Sequence, residues 1–185
     1  MKKRYYTLIE MLVTAAVIAI LAGIAMGAYS GIQRKAMLNR AAADCAAIQL
    51  AIKNFEAEYT SYPDTGASSG AVLTTGDSSQ YRTLIQTLTG VTWANTTAYG
   101  DFSTKNKKKI KFLDLPSKYA EKGFVDPWGK EYSVVINSDG STSMSVTLGS
   151  KTKTLLTPIA VFTQEGPSGG LQNRFATSWG GVITP

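Results

Sequence analysis

The stretch TLIEMLVTAAVIAILAGIAMGAYSGI, residues 7–32, carries a single charge, Glu10, and no further charge follows until Arg34. About 20 apolar residues in helical form cross a hydrocarbon core of roughly 30 Å, so Met11 to Ile32 is long enough to span a bilayer. Just before it stand Lys2, Lys3 and Arg4, a basic cluster that would hold the amino terminus on the cytoplasmic side and place the remaining chain outside the cytoplasm. Two other readings compete for these residues. A long buried helix of a soluble protein would rarely begin with three clustered cations and then run this far uncharged. A cleaved secretory signal would use Met11 to Leu21 as its apolar region and Ala25 and Gly27 as the small residues of its cut site. Against such a cut, small residues recur at every fourth position on both sides of it, at Ala15, Ala19, Gly23, Gly27 and Gly31. That spacing lets two helix backbones approach closely, which is how helices associate where lipid gives no hydrophobic drive.

Outward from this stretch, neither glycine nor proline occurs between Gly31 and Pro63, while Leu38, Ala41, Cys45, Ile48, Ile52, Phe55 and Tyr59 follow steps of three and four. Arg34, Lys35, Arg40, Asp44, Lys53, Asn54, Glu56 and Glu58 lie off that seam, as an amphipathic helix requires. The pattern predicts one continuous helix from about Tyr6 to Ser61, roughly 80 Å long at 1.5 Å per residue. Cys45 sits in the apolar stripe and reads as a small packed hydrophobe, since no cation-rich pocket is implied there.

The remaining chain reads as the cover for that stripe, which predicts an α+β architecture of one long helix on a small antiparallel sheet. Residues 64–80 are rich in Asp, Thr, Gly and Ser and read as a loop. Tyr81 to Leu88 suits a short helix or a strand. Glu131–Asn137 and Thr142–Leu148 alternate, and Ser138-Asp139-Gly140 between them is turn chemistry, so a hairpin is expected. Leu155–Thr163 is a third strand, in which Pro158 suggests an edge position or an early break. The glycine-rich tail from Gln164 to Pro185 offers Phe175, Trp179 and Val182 as anchors.

Composition narrows the function classes. Among 185 residues there is no histidine and one cysteine, which excludes Ser-His-Asp and Cys-His pairs, Cys-x-x-Cys motifs, intrachain disulfides and the commoner metal sites. The other carboxylates and serines show no spacing that assembles a catalytic pair, so no enzyme is expected. The net charge of +6 is most concentrated at Lys105, Lys107, Lys108, Lys109 and Lys111. Such a cluster attracts phosphate backbones, yet without interleaved aromatics it reads as a solvated loop, and nucleic acid is not an expected partner.

The run Tyr6-Thr7-Leu8-Ile9-Glu10-Met11-Leu12-Val13, after a short basic leader and before an apolar helix, resembles the amino terminus of type IV pilins and type II secretion pseudopilins. The resemblance implies that a prepilin peptidase removes the leader, residues 1–5, between Tyr5 and Tyr6 and methylates the new amine of Tyr6. Tyr5 stands where the family has glycine. Leu115-Pro116-Ser117-Lys118-Tyr119, Asp126-Pro127-Trp128-Gly129-Lys130-Glu131-Tyr132 and Tyr62-Pro63 are similar to the major pseudopilin, as is the want of a second cysteine for a pilin-type disulfide. On residues alone, Asp126 to Gly129 is a turn with a buried tryptophan. The tail segments Gly166-Pro167-Ser168-Gly169-Gly170 and Thr177-Ser178-Trp179 resemble the calcium-binding end of that family. There Ser168 and Asn173 occupy places where aspartates are expected and only Glu165 remains, so no tight calcium site and no cofactor are expected.

The resemblance implies a pilin-like fold. Residues 6–32 would be the membrane-spanning half of the helix, and 33–185 an extracytoplasmic globular domain that includes its second half. The expected partners are other copies in a helical homopolymer, the prepilin peptidase, an inner-membrane assembly platform, minor pilins or pseudopilins, and membrane lipid before assembly. Location is expected in the bacterial inner membrane, then in a periplasmic or cell-surface filament. Glu10 would meet the Tyr6 amine of an adjacent subunit, or else rest in the headgroup region beside Arg4. Three functions follow: a filament subunit of a secretion pseudopilus or a surface pilus for adhesion, motility or DNA uptake; an uncleaved membrane-anchored extracytoplasmic binding domain; or a secreted domain.

Overall fold

The computed structural model describes residues 6–73, 78–90, 105–114, 124–164 and 174–183, without the side chains of 25–28 and 78. Helix α1 covers Leu8–Tyr59, 52 residues, two short of the expected bounds at each end. The chain divides into two compact units, Met1–Ala36 and Met37–Pro185.

In the second unit the seam of α1 is fully used: Leu38, Ala41, Cys45, Ile48, Ile52 and Phe55 are all 2% exposed or less. Tyr59, at the end of the seam, is half-buried and stacks on Phe55 with ring centroids 4.4 Å apart. The helix stops where Thr60 takes a left-handed conformation, φ 55°, its N–H still bonded to the Glu56 carbonyl at 2.7 Å. Pro63, which has no N–H and a fixed φ, lies three residues on.

Helix α2, Ser78–Thr89, settles the choice for Tyr81–Leu88 in favour of helix, and its first three residues fall inside the stretch expected to be loop. Tyr81, Leu84, Ile85 and Leu88 form its buried face. The threonines that weaken it as a helix by propensity are also buried, and their hydroxyls are satisfied locally: Thr83, Thr87 and Thr89 each donate to the carbonyl four residues earlier at 2.8–2.9 Å. Gly90, at φ 67°, ends it by donating to the Gln86 carbonyl, the usual left-handed helix terminus.

Among the described residues six strands follow: β1 Tyr132–Ile136, β2 Met144–Leu148, β3 Lys151–Leu155, β4 Ile159–Thr163, β5 Phe175–Thr177 and β6 Gly181–Ile183. They form a four-stranded antiparallel sheet in the order β1-β4-β5-β6 and a separate β2-β3 ribbon. The expected hairpin between Glu131–Asn137 and Thr142–Leu148 is therefore not made. β1 pairs with β4, Tyr132 opposite Thr163 and Ile136 opposite Ile159, while β2 pairs with β3 across the two-residue turn Gly149-Ser150. The physical reason is that β1 is buried at all five positions and must be covered on both faces. Tyr132, Val134 and Ile136 pack with the helices, whereas Val135 packs with Met144, Val146, Leu148 and Leu155 of the ribbon. The segment Leu155–Thr163 divides at Pro158, as an early break. Its second part, β4, is an interior strand, not an edge. The edge of β1 is closed instead by residues 70–73, with Gly70 N–H on Ile136 O and Leu73 N–H on Val134 O, both 2.9 Å. In the tail, Phe175 lies buried on β5, Val182 opposes Ala176 from β6, and Trp179 meets Phe162 edge-on.

Candidate functional site

The first unit is the candidate site. Thr7 and Glu10 close a reciprocal cap on α1: the Glu10 N–H donates to Thr7 Oγ1 at 3.3 Å and the Thr7 N–H to Glu10 Oε2 at 3.5 Å. This is a capping box, and the sequence signal for it is the Thr-x-x-Glu spacing of Thr7 and Glu10. It explains why the helix starts at Leu8 and not at Tyr6. Thr14, the next polar residue, turns its hydroxyl onto the Met11 carbonyl at 2.9 Å and so offers little to any partner outside the helix.

Around this cap the apolar side chains are left uncovered by the described residues. Leu8, Ile9, Ile18, Ile24 and Ile32 are 66–81% exposed. Ala15, Ala19, Gly23 and Gly31 of the small-residue series are exposed too, and a methyl group added at Gly23 or Gly31 would meet no atom within 4 Å. Gly27 lies in the helix, but its surroundings are outside the described residues, as are Tyr5 and the basic leader. No single helix among the described residues is long and apolar enough to cross a membrane. Leu8–Ile24 and Tyr29–Tyr59 pass that test only as a bent pair, by length and composition.

The Asp126 turn has the form read from its residues, with a different buried member. Asp126 is 3% exposed and Trp128 only half-buried. Asp126 Oδ1 accepts the N–H groups of Trp128 at 3.0 Å and Lys130 at 2.8 Å, and Gly129 takes φ 89°. Burial is the strongest influence on this carboxyl and raises it above its ordinary value, against the backbone N–H groups that pull it down. With the folded value above the unfolded one, the stability contributed by Asp126 is complete below the unfolded value of about 3.8 and is lost as pH rises through the folded value. Asp126→Asn keeps the accepting oxygen and removes the charge. Its urea-unfolding free energy relative to the parent should therefore increase, making the variant relatively more stable, between about pH 3 and about pH 7; a difference that is flat, or that moves the other way, would refute this.

Neither remaining candidate forms a reactive centre. Cys45 is fully buried, its thiol near the Ala176 carbonyl, and burial, then the Asp44 and Asp126 charges, push it far above the range of a nucleophile. Among the described residues three of the five clustered lysines are engaged: Lys105 with Asp64, Lys108 with Glu58 and Lys111 with Asp114. The loop itself is fastened by Asn106, whose amide donates to the Thr87 and Ile110 carbonyls and accepts from the Tyr59 hydroxyl at 2.7 Å. Glu165, Ser168 and Asn173, and Leu115–Tyr119, fall outside the described residues. No protein-family model, curated protein or solved structure matches the chain.

Proposed function

We propose that the chain is a structural subunit of a type IV pilus-like filament, the major pseudopilin of a type II secretion-type system, cut by a prepilin peptidase and polymerised through α1. The observation that carries this reading is the first half of α1: apolar, exposed at every position whose surroundings are described, with one carboxylate at its head. So much uncovered apolar surface calls for lipid or other helices around it. In the proposed cycle lipid of the inner membrane covers it first, with the amino terminus cytoplasmic, and the α1 helices of other copies cover it in the filament. The seam of α1 from Leu38 to Phe55 supports the same scheme, because it fastens the globular domain to the helix that polymerises.

A second reading, an uncleaved membrane-anchored domain, is favoured by two observations: Tyr5 at the cut site, and a Glu10 already bonded within its own helix. The intact mass and amino-terminal sequence of the protein from native membranes decide between them. A chain beginning at methylated Tyr6 is the expected result. A chain beginning at Met1 establishes the anchored reading, and one beginning near residue 28 a secreted domain.

A further inference from the structure

The second unit contains a cleft that the filament reading does not use. It has a volume of about 630 Å³, within the size range of small-molecule sites, and lies between the segment after α1, the β1–β2 connection and Pro158. We propose that it binds a neutral oligosaccharide.

Its walls are fixed to one another before any ligand arrives. Ser69 Oγ accepts the N–H groups of Ser138 at 3.0 Å and Asp139 at 3.3 Å, joining the two main walls. Buried Asn137 donates its main-chain N–H to Pro158 O and its side-chain amide to Ser143 O, both 2.8 Å, which sets the third wall. Gly70 approaches so closely that a methyl group there would lie 3.2 Å from Asn137 Oδ1. A preformed cleft loses less ordering entropy on binding than a loop that must close.

The lining selects the ligand class. Hydroxyls of Thr60, Ser61, Ser68 and Thr142 make no hydrogen bond to other described residues, so each is available to donate and to accept. A sugar hydroxyl has the same double capacity. Among the described residues no lysine or arginine lines the cleft, and the nearby Lys105 is spent on Asp64, so an anion finds no free counter-charge there. Of its two carboxylates Asp64 is paired with Lys105 at 3.3 Å, so a cation would meet one open carboxylate there, Glu56. Leu73, Ile136 and the rings of Pro63 and Pro158 give an apolar floor against which the C–H face of a pyranose can rest. Thr60, a β-branched residue held at φ 55° on the rim, adds the kind of backbone strain that gathers at ligand sites.

The proposal is independent of the first unit and of leader cleavage. The test uses the full chain in a sugar-free zwitterionic detergent, titrated with maltotriose, cellotriose, chitotriose and mannotriose and followed at the Ala67 and Ala71 methyl resonances, which line the cleft. At least one trisaccharide should shift both methyls saturably. Thr142→Trp and Ser61→Trp fill the cleft from different walls, and each, at unchanged Tm, should weaken binding about tenfold or more, equivalent to about 1.4 kcal/mol. The proposal is overturned if none of the four moves these methyls, if binding survives both substitutions, or if spermidine or inorganic phosphate moves them and the sugars do not.

Discussion

Glu10→Gln is expected to leave the subunit folded in the membrane and to reduce filament yield by about a hundredfold or more. The two parts separate because Glu10 has two capacities. Its carboxylate oxygen accepts the Thr7 N–H in the cap, a role glutamine fills as well, since the third helical position of a capping box takes either residue. Its charge is what glutamine cannot supply. In the proposed filament the carboxylate meets the Tyr6 amine of a neighbour in an apolar core. Removing one partner of such a buried pair costs about 3–5 kcal/mol, because the other charge stays behind unpaired. Thr7→Val is the complementary change: it deletes the hydroxyl that accepts the Glu10 N–H, at a cost of about 1 kcal/mol, and leaves the charge in place. Sheared filament, normalised to subunit in the membrane, should therefore fall steeply for Glu10→Gln and modestly for Thr7→Val. Equal losses would mean that the cap alone matters. Full assembly by Glu10→Gln would remove the intersubunit pair.

This double use of Glu10 also marks how far the sequence could be read. The lone acid at the head of an apolar run reads as a charge needing a distant partner, whereas the partner nearest in the chain is Thr7, three residues back. The seam of α1 was legible because its period is carried by one face of one helix, and every member from Leu38 to Phe55 is buried. Strand pairing was not legible to the same degree. Ser138-Asp139-Gly140 does turn, with Asp139 Oδ1 accepting the Ser141 N–H at 2.9 Å and Gly140 at φ 85°. Yet a turn specifies only a change of direction, and here it passes the chain from one layer to another. What decides the partner of β1 is burial on both faces, which shows in the sequence only as the near-continuous apolar run around Val134 to Ile136. The signal for the hairpin that does form was shorter still, Gly149-Ser150 between Leu148 and Lys151, with Gly149 at φ 60°. The cleft was not legible at all, since its walls come from segments some seventy residues apart that are joined by single hydroxyls such as Ser69.

Phe55→Ala should destabilise the second unit by about 3–5 kcal/mol in urea unfolding of the full chain in detergent, the range for deleting a buried phenylalanine. Set against a total of about 5–15 kcal/mol for an ordinary domain, such a loss brings many proteins near unfolding. Phe55 is 2% exposed, stacked on Tyr59 and edge-on to Phe112 at 5.4 Å, so its removal opens space at a junction of α1 with the segment after the basic loop. The effect should also travel. Tyr59 uses its hydroxyl to donate to Asn106 Oδ1 and to accept the Lys108 N–H at 2.8 Å, so a Tyr59 ring without its stacking partner loosens the hold on that loop. Faster hydrogen exchange at the Lys108 amide than the global loss of stability accounts for is the expected sign. Leu50→Ala, on the opposite side of the same helix and 59% exposed, should change stability by no more than about 0.5 kcal/mol. If the two substitutions cost the same, or if Phe55→Ala costs less than about 1 kcal/mol, then α1 beyond Met37 is not part of the domain core and a filament built on α1 would have no firm grip on the domain it carries.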